Sequence, residues 1–484
     1  MSTNDANPVR TRFAPSPTGY MHIGNLRTAL YEYLIARSSG GKFLLRIEDT
    51  DIVRQKEGAL DIIYNTLKVA GLQHDEGPDI GGPYAPYVQS ERRGIYVKYA
   101  NELIDKGFAY ICFCSKERLE GLKEHDEYAK YDRLCHAISK EEARSRAESG
   151  ESCVIRQFVP EGETTFHDEI FGAITVSHTE IEDQILIKAD GYPTYNFANV
   201  IDDHIMDISH VVRGAEYVSS AAKYTLLYHS FGWDVPAYIH LPPVMGNSGK
   251  KLSKRLGDSS FEDLLREGFL PEAIVNYIAL LGWSPGGERE IFSLRELEEI
   301  FDTKGLSKSP AIFDRVKLTW MNSEYFKKMD EQSFFVMAEP YLKDAVKAPG
   351  ADLRMLAGLC QPRIEFLSDI PTLLDFVDEL PEYAVSLFEH GKMKTTAVSS
   401  LENLKKILPR LESVSGWSLE NIRREMEELI RREGIKNGQL FWPVRTALSG
   451  KESSPCGAPE LAELLGRDES LRRIRRGIEK LESA

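Results

Sequence analysis

The sequence predicts an α/β fold whose first half carries a parallel sheet and whose second half is helical. Three observations point there. Residues 9–49 read as strand, helix, strand at lengths that form a βαβ unit, and strands joined in this way run parallel. Residues 108–180 mix short apolar runs with charged stretches such as SKERLEGLKEHDEYAKYDR, the pattern of an α+β insertion. From about residue 261 onward, apolar positions recur at helical spacing between loops that carry Gly and Pro, with few β-branched runs.

In chain order, VRTRFA (9–14) is a short strand. LRTALYEYLIAR (26–37) is a helix, because Leu26, Ala29, Leu30, Tyr33 and Leu34 fall on one face at i, i+3, i+4 and i+7. SSGGK (38–42) is a turn, and FLLRIED (43–49) is a buried strand ending in charge. GPDIGGPYAPY (77–87) is a loop, and a helix spans about 91–106. DGYPTYNFANVIDDHIMDISHVVRG (190–214) returns to strand and helix, and SGKKLSKRLGDSS (248–260) is a polar, Lys-rich loop. There is no internal repeat and no low-complexity tail.

The 484 residues suit several domains at ~100–200 residues each. No apolar run reaches the ~18 residues needed to cross a membrane, and MSTNDANPVRTRF lacks the apolar core of a secretory signal. The six cysteines are too sparse for a disulfide framework, so a cytoplasmic protein is expected. The net charge of −15 argues against nucleic acid, but its distribution does not. Residues 401–484 carry 16 basic and 14 acidic side chains, a net of +2, which leaves −17 for the rest. RRIRRG (472–477) and RRE (431–433) cluster the basic residues there. Such a cluster is either an RNA-binding surface or a solvated helix face.

Two motifs carry chemistry. In FAPSPTGYMHIGNLRTALYEYL (13–34), His22 and Gly24 stand where the helix begins. Unpaired N–H groups and the positive end of the macrodipole attract anions there, and Gly24 lets a ligand approach the backbone. Read alone, His22 is a helix cap. In KKLSKRLG (250–257), Lys251 and Lys254, with Ser253 between them, could clamp a triphosphate and neutralise charge in its transition state, although read alone the stretch is a solvated Lys-rich loop.

Together, Pro-Thr-Gly-x-x-His-x-Gly and Lys-Leu-Ser-Lys-Arg resemble the signature pair of class I aminoacyl-tRNA synthetases. RIEDTD (46–51), YVQSER (87–92), DGYPTYNFANVIDDH (190–204), VVRG (211–214), FDRVKLTWMN (313–322) and GIKNGQLFWPVRTALSG (434–450) are similar, in order, to segments of bacterial-type glutamyl-tRNA synthetases. The resemblance spans essentially the whole chain. It implies a class I Rossmann-like nucleotide-binding catalytic domain (1–107 and 200–246) split by an α+β acceptor-binding insertion (108–199). An all-α part follows: a stem-contact domain (247–330) and two anticodon-binding domains (331–388 and 389–484).

The resemblance also implies an activity: ATP-dependent activation of L-glutamate and its transfer to the 3′ end of tRNA for glutamate, with Mg²⁺ on the phosphates. It places ATP against His22, Gly24, Asn25, Glu216, Lys251, Ser253 and Lys254. It places glutamate among Arg12, Ala14, Ser16, Glu48, Tyr195, Asn199 and Arg213. Glu48 and Ser16 would take the ammonium, and Arg12 and Arg213 would divide the carboxylates, which suits the planar guanidinium fork. Arg363 matches a position that reads the last anticodon base in some members. The chain departs from the family at Asn25, where many class I enzymes have a second His, and at Ala215, where an acid precedes Glu216. RIEDTD and the helical C-terminal third favour the glutamate enzyme over its glutaminyl counterpart, and the protein is expected to be a monomer. Two alternatives stay open on the sequence: an enzyme that also charges the glutamine tRNA, and a catalytically dead RNA-binding paralogue.

Cys112, Cys114, Cys135 and His136 form C-x-C-x20-C-H. Three thiols and an imidazole suit a structural zinc site, and some bacterial glutamyl enzymes hold zinc in this insertion. Adjacent residues chelate one metal with difficulty, so His125 is an alternative fourth ligand, and three ordinary cytoplasmic thiols are the other reading.

Overall fold

The computed structural model describes residues 8–17, 19–50, 56–125, 130–246, 249, 260–347 and 351–483, without the side chains of 123–125. The loop with Lys251, Ser253 and Lys254 lies outside the described residues, as does the His125 side chain. The chain divides into a unit of residues 1–318 and a unit of residues 319–484. Among the described residues no helix is long and apolar enough to cross a membrane.

The first unit opens with β1 (Arg10–Phe13), α1 (Ile23–Ser38) and β2 (Lys42–Leu45), and β1 and β2 pair in parallel with Arg12 opposite Leu44. This is the expected βαβ unit, with α1 starting three residues earlier than its apolar period suggests. Then come α2 (Ala59–Val69), α3 (Arg93–Lys106), β3 (Ala109–Cys112), α4 (Lys116–His125) and α5 (Lys140–Glu148). β4 (Val154–Gln157), β5 (Glu163–Asp168), β6 (Gly172–Ser177) and β7 (Ile185–Ile187) follow. The chain then returns through α6 (Tyr195–Ile205), β8 (His210–Gly214), α7 (Val218–Phe231) and β9 (Ala237–Leu241).

β8 and β9 pair in parallel, and the Ser209 N–H donates to the Arg10 carbonyl at 3.0 Å, which brings the start of β8 beside β1. The chain thus winds one way from β1 to β2 and the other way from β8 to β9. Open α/β sheets bind ligands at the carboxyl ends of strands at such a switch point. The β5–β6 hairpin adds to the far edge of β9, with Asp168 opposite Tyr238, so part of the inserted segment extends the catalytic sheet. The rest forms an antiparallel sheet in the order β3–β4–β7. One core runs through both parts, joining Ile111 and Leu186 to Phe197, Ile201, Tyr224 and Tyr238.

α1 does not present one apolar face as its period suggests. It touches β1 and β8 on one side and α9 (Pro271–Ala279) and α10 (Leu294–Ile300) on the other, after the short β10 (Val244–Met245) and α8 (Phe261–Arg266). Arg27 and Glu32 are therefore as buried as Leu30 and Leu34. β11 (Ala311–Ile312) pairs with β10.

The chain passes into the second unit within α11 (Arg315–Lys328). α12 (Glu331–Ala345) packs on α13 (Leu353–Cys360) and α14 (Asp369–Leu374). α15 (Ala397–Glu412), α16 (Leu419–Glu433), α17 (Asn437–Ser449), α18 (Ala458–Leu465) and α19 (Arg467–Glu482) enclose a second core that also takes in Phe376, Leu380 and Tyr383. The RRIRRG stretch is not an open basic surface. Arg472 pairs with Glu469, Arg475 with Glu412 and Arg476 with Glu382. Arg473 is fully buried and donates to the carbonyls of Phe376, Val377 and Leu448.

Candidate active site

A cavity of about 310 Å³ opens at the carboxyl ends of β1 and β8, beside the N-terminus of α1. Of the residues expected to bind substrates, Arg12, Ala14, Ser16, His22, Gly24, Asn25, Glu48, Tyr195, Arg213 and Glu216 line it. Asn199 does not. It lies one turn along α6, buried, with its amide donating to the Tyr195 carbonyl at 2.8 Å. Arg363 is in the second unit, exposed just past α13, with Nη1 donating to the Leu359 carbonyl.

His22 caps α1. Its Nδ1 accepts from the Gly24 N–H at 3.1 Å, and its carbonyl accepts from Asn25 and Leu26. Capping fixes the tautomer, because an accepting Nδ1 leaves the proton of the neutral ring on Nε2. A Cβ at Gly24 would meet only His22 Nδ1 within 4 Å, so the space a side chain would fill belongs to the cavity. The capping role and the ligand-facing role therefore fall on one residue.

The chain that follows the Lys-rich loop is tied to the start of α1. Ser260 forms a β-bridge with His22, and the Phe261 N–H donates to the Met21 carbonyl. Arg27 reaches from α1 to the carbonyls of Pro242 and Leu281. Ser260 and Asp263 then cap α8 reciprocally, which gives the returning chain a fixed start.

Behind the cavity lies a buried charge network that sequence reading missed. Arg12 donates through Nε and Nη2 to both oxygens of Asp203 at 2.8 and 3.2 Å, and through Nη1 to Glu32 at 3.1 Å. Arg46 donates to Asp203 at 2.7 Å and to Glu48 Oε1 at 2.8 Å. Asp202 takes Arg92 Nε, the Tyr96 hydroxyl and the Gln89 amide at 2.8 to 2.9 Å. Burial disfavours a charged Asp203, but Arg12 and Arg46 outweigh it and hold the carboxyl down at about 2. Burial wins at Glu48, whose carboxyl is raised despite Arg46, and more strongly at Glu32.

Arg213 differs from Arg12 and Arg46. It is buried, has no acidic partner among the described residues, leaves Nη1 without a hydrogen bond among them, and rests over the rings of Tyr217 and Tyr224. A desolvated guanidinium with an empty donor in a cavity wall is a ready site for a carboxylate.

Away from this cavity, the sulfurs of Cys112, Cys114 and Cys135 lie within 4.8 Å of one another. The Tyr131 hydroxyl stands 3.3 Å from Cys112 Sγ and 3.4 Å from Cys114 Sγ. His136, the expected fourth ligand, is not among these donors. Cys135 sits in a short 3₁₀ turn that faces it inward, and the next side chain points out, stacked on Phe158 at 4.3 Å between ring centres. Three thiols and a phenol oxygen around one point are a donor set that fits zinc.

A parallel sheet with this switch point, a helix-mouth histidine and an arginine-lined cavity define a class I tRNA synthetase. The family described as tRNA synthetases class I (E and Q), catalytic domain, matches residues 8–320, and an anticodon binding domain matches residues 333–478. The glutamate–tRNA ligase of Clostridium kluyveri is 59% identical over 478 residues, covering 98% of both chains. That of Clostridium tetani is 58% identical over 99% of both. The crystal structure of a glutamate tRNA ligase from Elizabethkingia meningosepticum, in complex with its amino acid, superposes with a TM-score of 0.86. It is 34% identical and covers 98% of this chain and 100% of its own. The chain belongs to the bacterial-type glutamyl-tRNA synthetases.

Proposed function

We propose that the protein is a glutamate–tRNA ligase that forms glutamyl-adenylate in the cavity between β1 and β8 and passes the glutamyl group to tRNA for glutamate. The observation that carries this reading is the lining of that cavity, which brings together the buried guanidinium of Arg213 and the carboxyl of Glu48. Glu48 Oε1 is taken by Arg46, and its other oxygen is assigned to the substrate ammonium together with Ser16, which also lines the cavity. Arg12 has three of its five N–H donors committed to Asp203 and Glu32, so two remain for a second carboxylate. Tyr195 lines the same cavity.

In the first step an α-carboxylate oxygen of glutamate attacks the α-phosphorus of ATP. The bond to the bridging oxygen breaks, and pyrophosphate leaves with the electron pair. His22 Nε2 and the open backbone at Gly24 meet the phosphates. Lys251 and Lys254, proposed on the sequence motif, neutralise the charge that grows on the five-coordinate phosphorus. Mg²⁺, when bound, screens the triphosphate. A terminal ribose hydroxyl of the tRNA then attacks the acyl carbon, and AMP departs. The site works by positioning and electrostatics, with no covalent enzyme intermediate.

Zinc, held by Cys112, Cys114, Cys135 and Tyr131, would brace the inserted segment and take no part in the chemistry. Arg363, exposed on the anticodon-binding unit, is proposed to read the last anticodon base and so to reject tRNA for glutamine. Attachment of radiolabelled glutamate to purified tRNA for glutamate tests the reading. Labelling that requires ATP supports it, and tRNA that binds but is never charged would point to a dead paralogue.

A further inference from the structure

The chemistry proposed above leaves Glu32 without a task. This side chain of α1 is 1% exposed and lines the cavity. Its Oε1 accepts from Arg12 Nη1, while Oε2 is buried with no hydrogen-bond partner among the described residues. The charged groups that act on it most strongly are Arg12 on β1, Arg213 on β8, Asp203 on α6 and Arg46 after β2. A lone carboxylate oxygen is costly in such a wall, whereas a carboxylic acid carries an O–H that seeks an acceptor.

Charge counting points the same way. Arg12, Arg46, Arg92 and Arg213 balance Glu32, Glu48, Asp202 and Asp203 if all are ionised. With a proton on Glu32 the set carries one excess positive charge. Glutamate, with two carboxylates and one ammonium, carries one net negative charge, and glutamine carries none.

We infer that Glu32 is a substrate-binding residue that works as the neutral acid, with Oε1 accepting from Arg12 and the Oε2–H donating to a carboxylate of bound glutamate. The proton stays on Glu32 throughout, and the excess positive charge it leaves favours glutamate over its neutral amide. Burial supports this protonation state, raising the carboxyl well above its ordinary range against the pull of Arg12 and Arg213. The inference rests on the glutamate reading of the cavity.

Steady-state aminoacylation by the full chain tests it. Glu32→Ala removes the donor and raises KM for glutamate about tenfold while KM for ATP stays within about twofold. Glu32→Gln, neutral and still a donor, recovers most of that loss. As pH rises from about 6.5 to about 9, KM for glutamate rises in the parent relative to Glu32→Gln, and the ratio cancels the substrate's own titration. This comparison decides the matter if Glu32→Ala does not fold. Glu32→Gln as impaired as Glu32→Ala, or a parent that gains on Glu32→Gln as pH rises, would show that the ionised form is the working one and overturn the inference. A parent chain that binds ATP and tRNA but never uses glutamate would instead overturn the reading of the cavity.

Discussion

Asp203 ties Arg12 to Arg46, and its replacement by Asn gives a worked prediction. Its carboxylate accepts from Arg12 Nε, Arg12 Nη2 and Arg46 Nη1, with the side chain 2% exposed. Its drop from the ordinary 3.8 to about 2 corresponds to about 2.4 kcal/mol of stability at ~1.36 kcal/mol per pH unit. Because the folded value is depressed, this stability is fully present above 3.8 and is lost only as pH falls through about 2. Asp203→Asn also turns an amide N–H₂ toward a guanidinium and leaves buried positive charge unbalanced, so the total loss near neutrality is about 3 kcal/mol. For a unit of this size that lowers the melting transition by about 6 °C. Arg12 loses its anchor as well, so KM for glutamate rises about tenfold or more while KM for ATP changes little. Thermal melts at about pH 5, 6 and 7 with two-substrate kinetics are the assay, and the stability gap stays constant over that range. A drop under about 2 °C, or a gap that changes steeply between those pH values, would refute an ionised Asp203 as the anchor.

The remaining predictions concern other parts of the molecule. Arg213→Lys keeps the charge but loses the planar fork, so it raises KM for glutamate about 10- to 100-fold and leaves KM for ATP within about threefold, as substrate titrations will show. Protein purified without chelator carries one zinc per chain by elemental analysis, and Cys114→Ser lowers both the zinc content and the melting transition of the first unit. Arg473→Met strands the carbonyls of Phe376, Val377 and Leu448 and costs the second unit about 3 kcal/mol, read as a lower melting transition and weaker tRNA binding.

His22 and Gly24 of the candidate site were legible locally, because they mark the start of a helix, whereas Arg12, Arg213 and the other candidate glutamate residues came from the resemblance to glutamyl-tRNA synthetases. Ten of the residues expected to bind substrates line one cavity even though more than 190 positions separate Arg12 from Glu216. The network behind that cavity was not legible. A charged residue in a helical pattern reads as the solvent side, and Glu32 in LYEYL looks like such a residue until the fold turns it inward onto Arg12 of β1. Asp202 and Asp203 stand side by side in VIDDH, yet one faces Arg92 and the other Arg12, a division that only the packing of α6 makes. The basic stretch on α19 misled in the opposite direction. Arg475 and Arg476 find partners on Glu412 and Glu382, and residues that distant in sequence carry no local sign of pairing. For zinc, spacing singled out the three thiols but not Tyr131, because a buried tyrosine four residues before a cysteine looks like ordinary core.

The central claim is that the cavity between β1 and β8 activates glutamate. Glutamate-dependent exchange of pyrophosphate into ATP, run with no tRNA, with tRNA for glutamate and with tRNA for glutamine, tests it most directly. The account predicts exchange with the glutamate tRNA and none with the glutamine tRNA, and exchange lowered by Arg213→Lys at limiting glutamate. Exchange with both tRNAs would keep the activity and remove the discriminating role of Arg363. Absence of exchange under every condition, with tRNA still bound, would contradict the account.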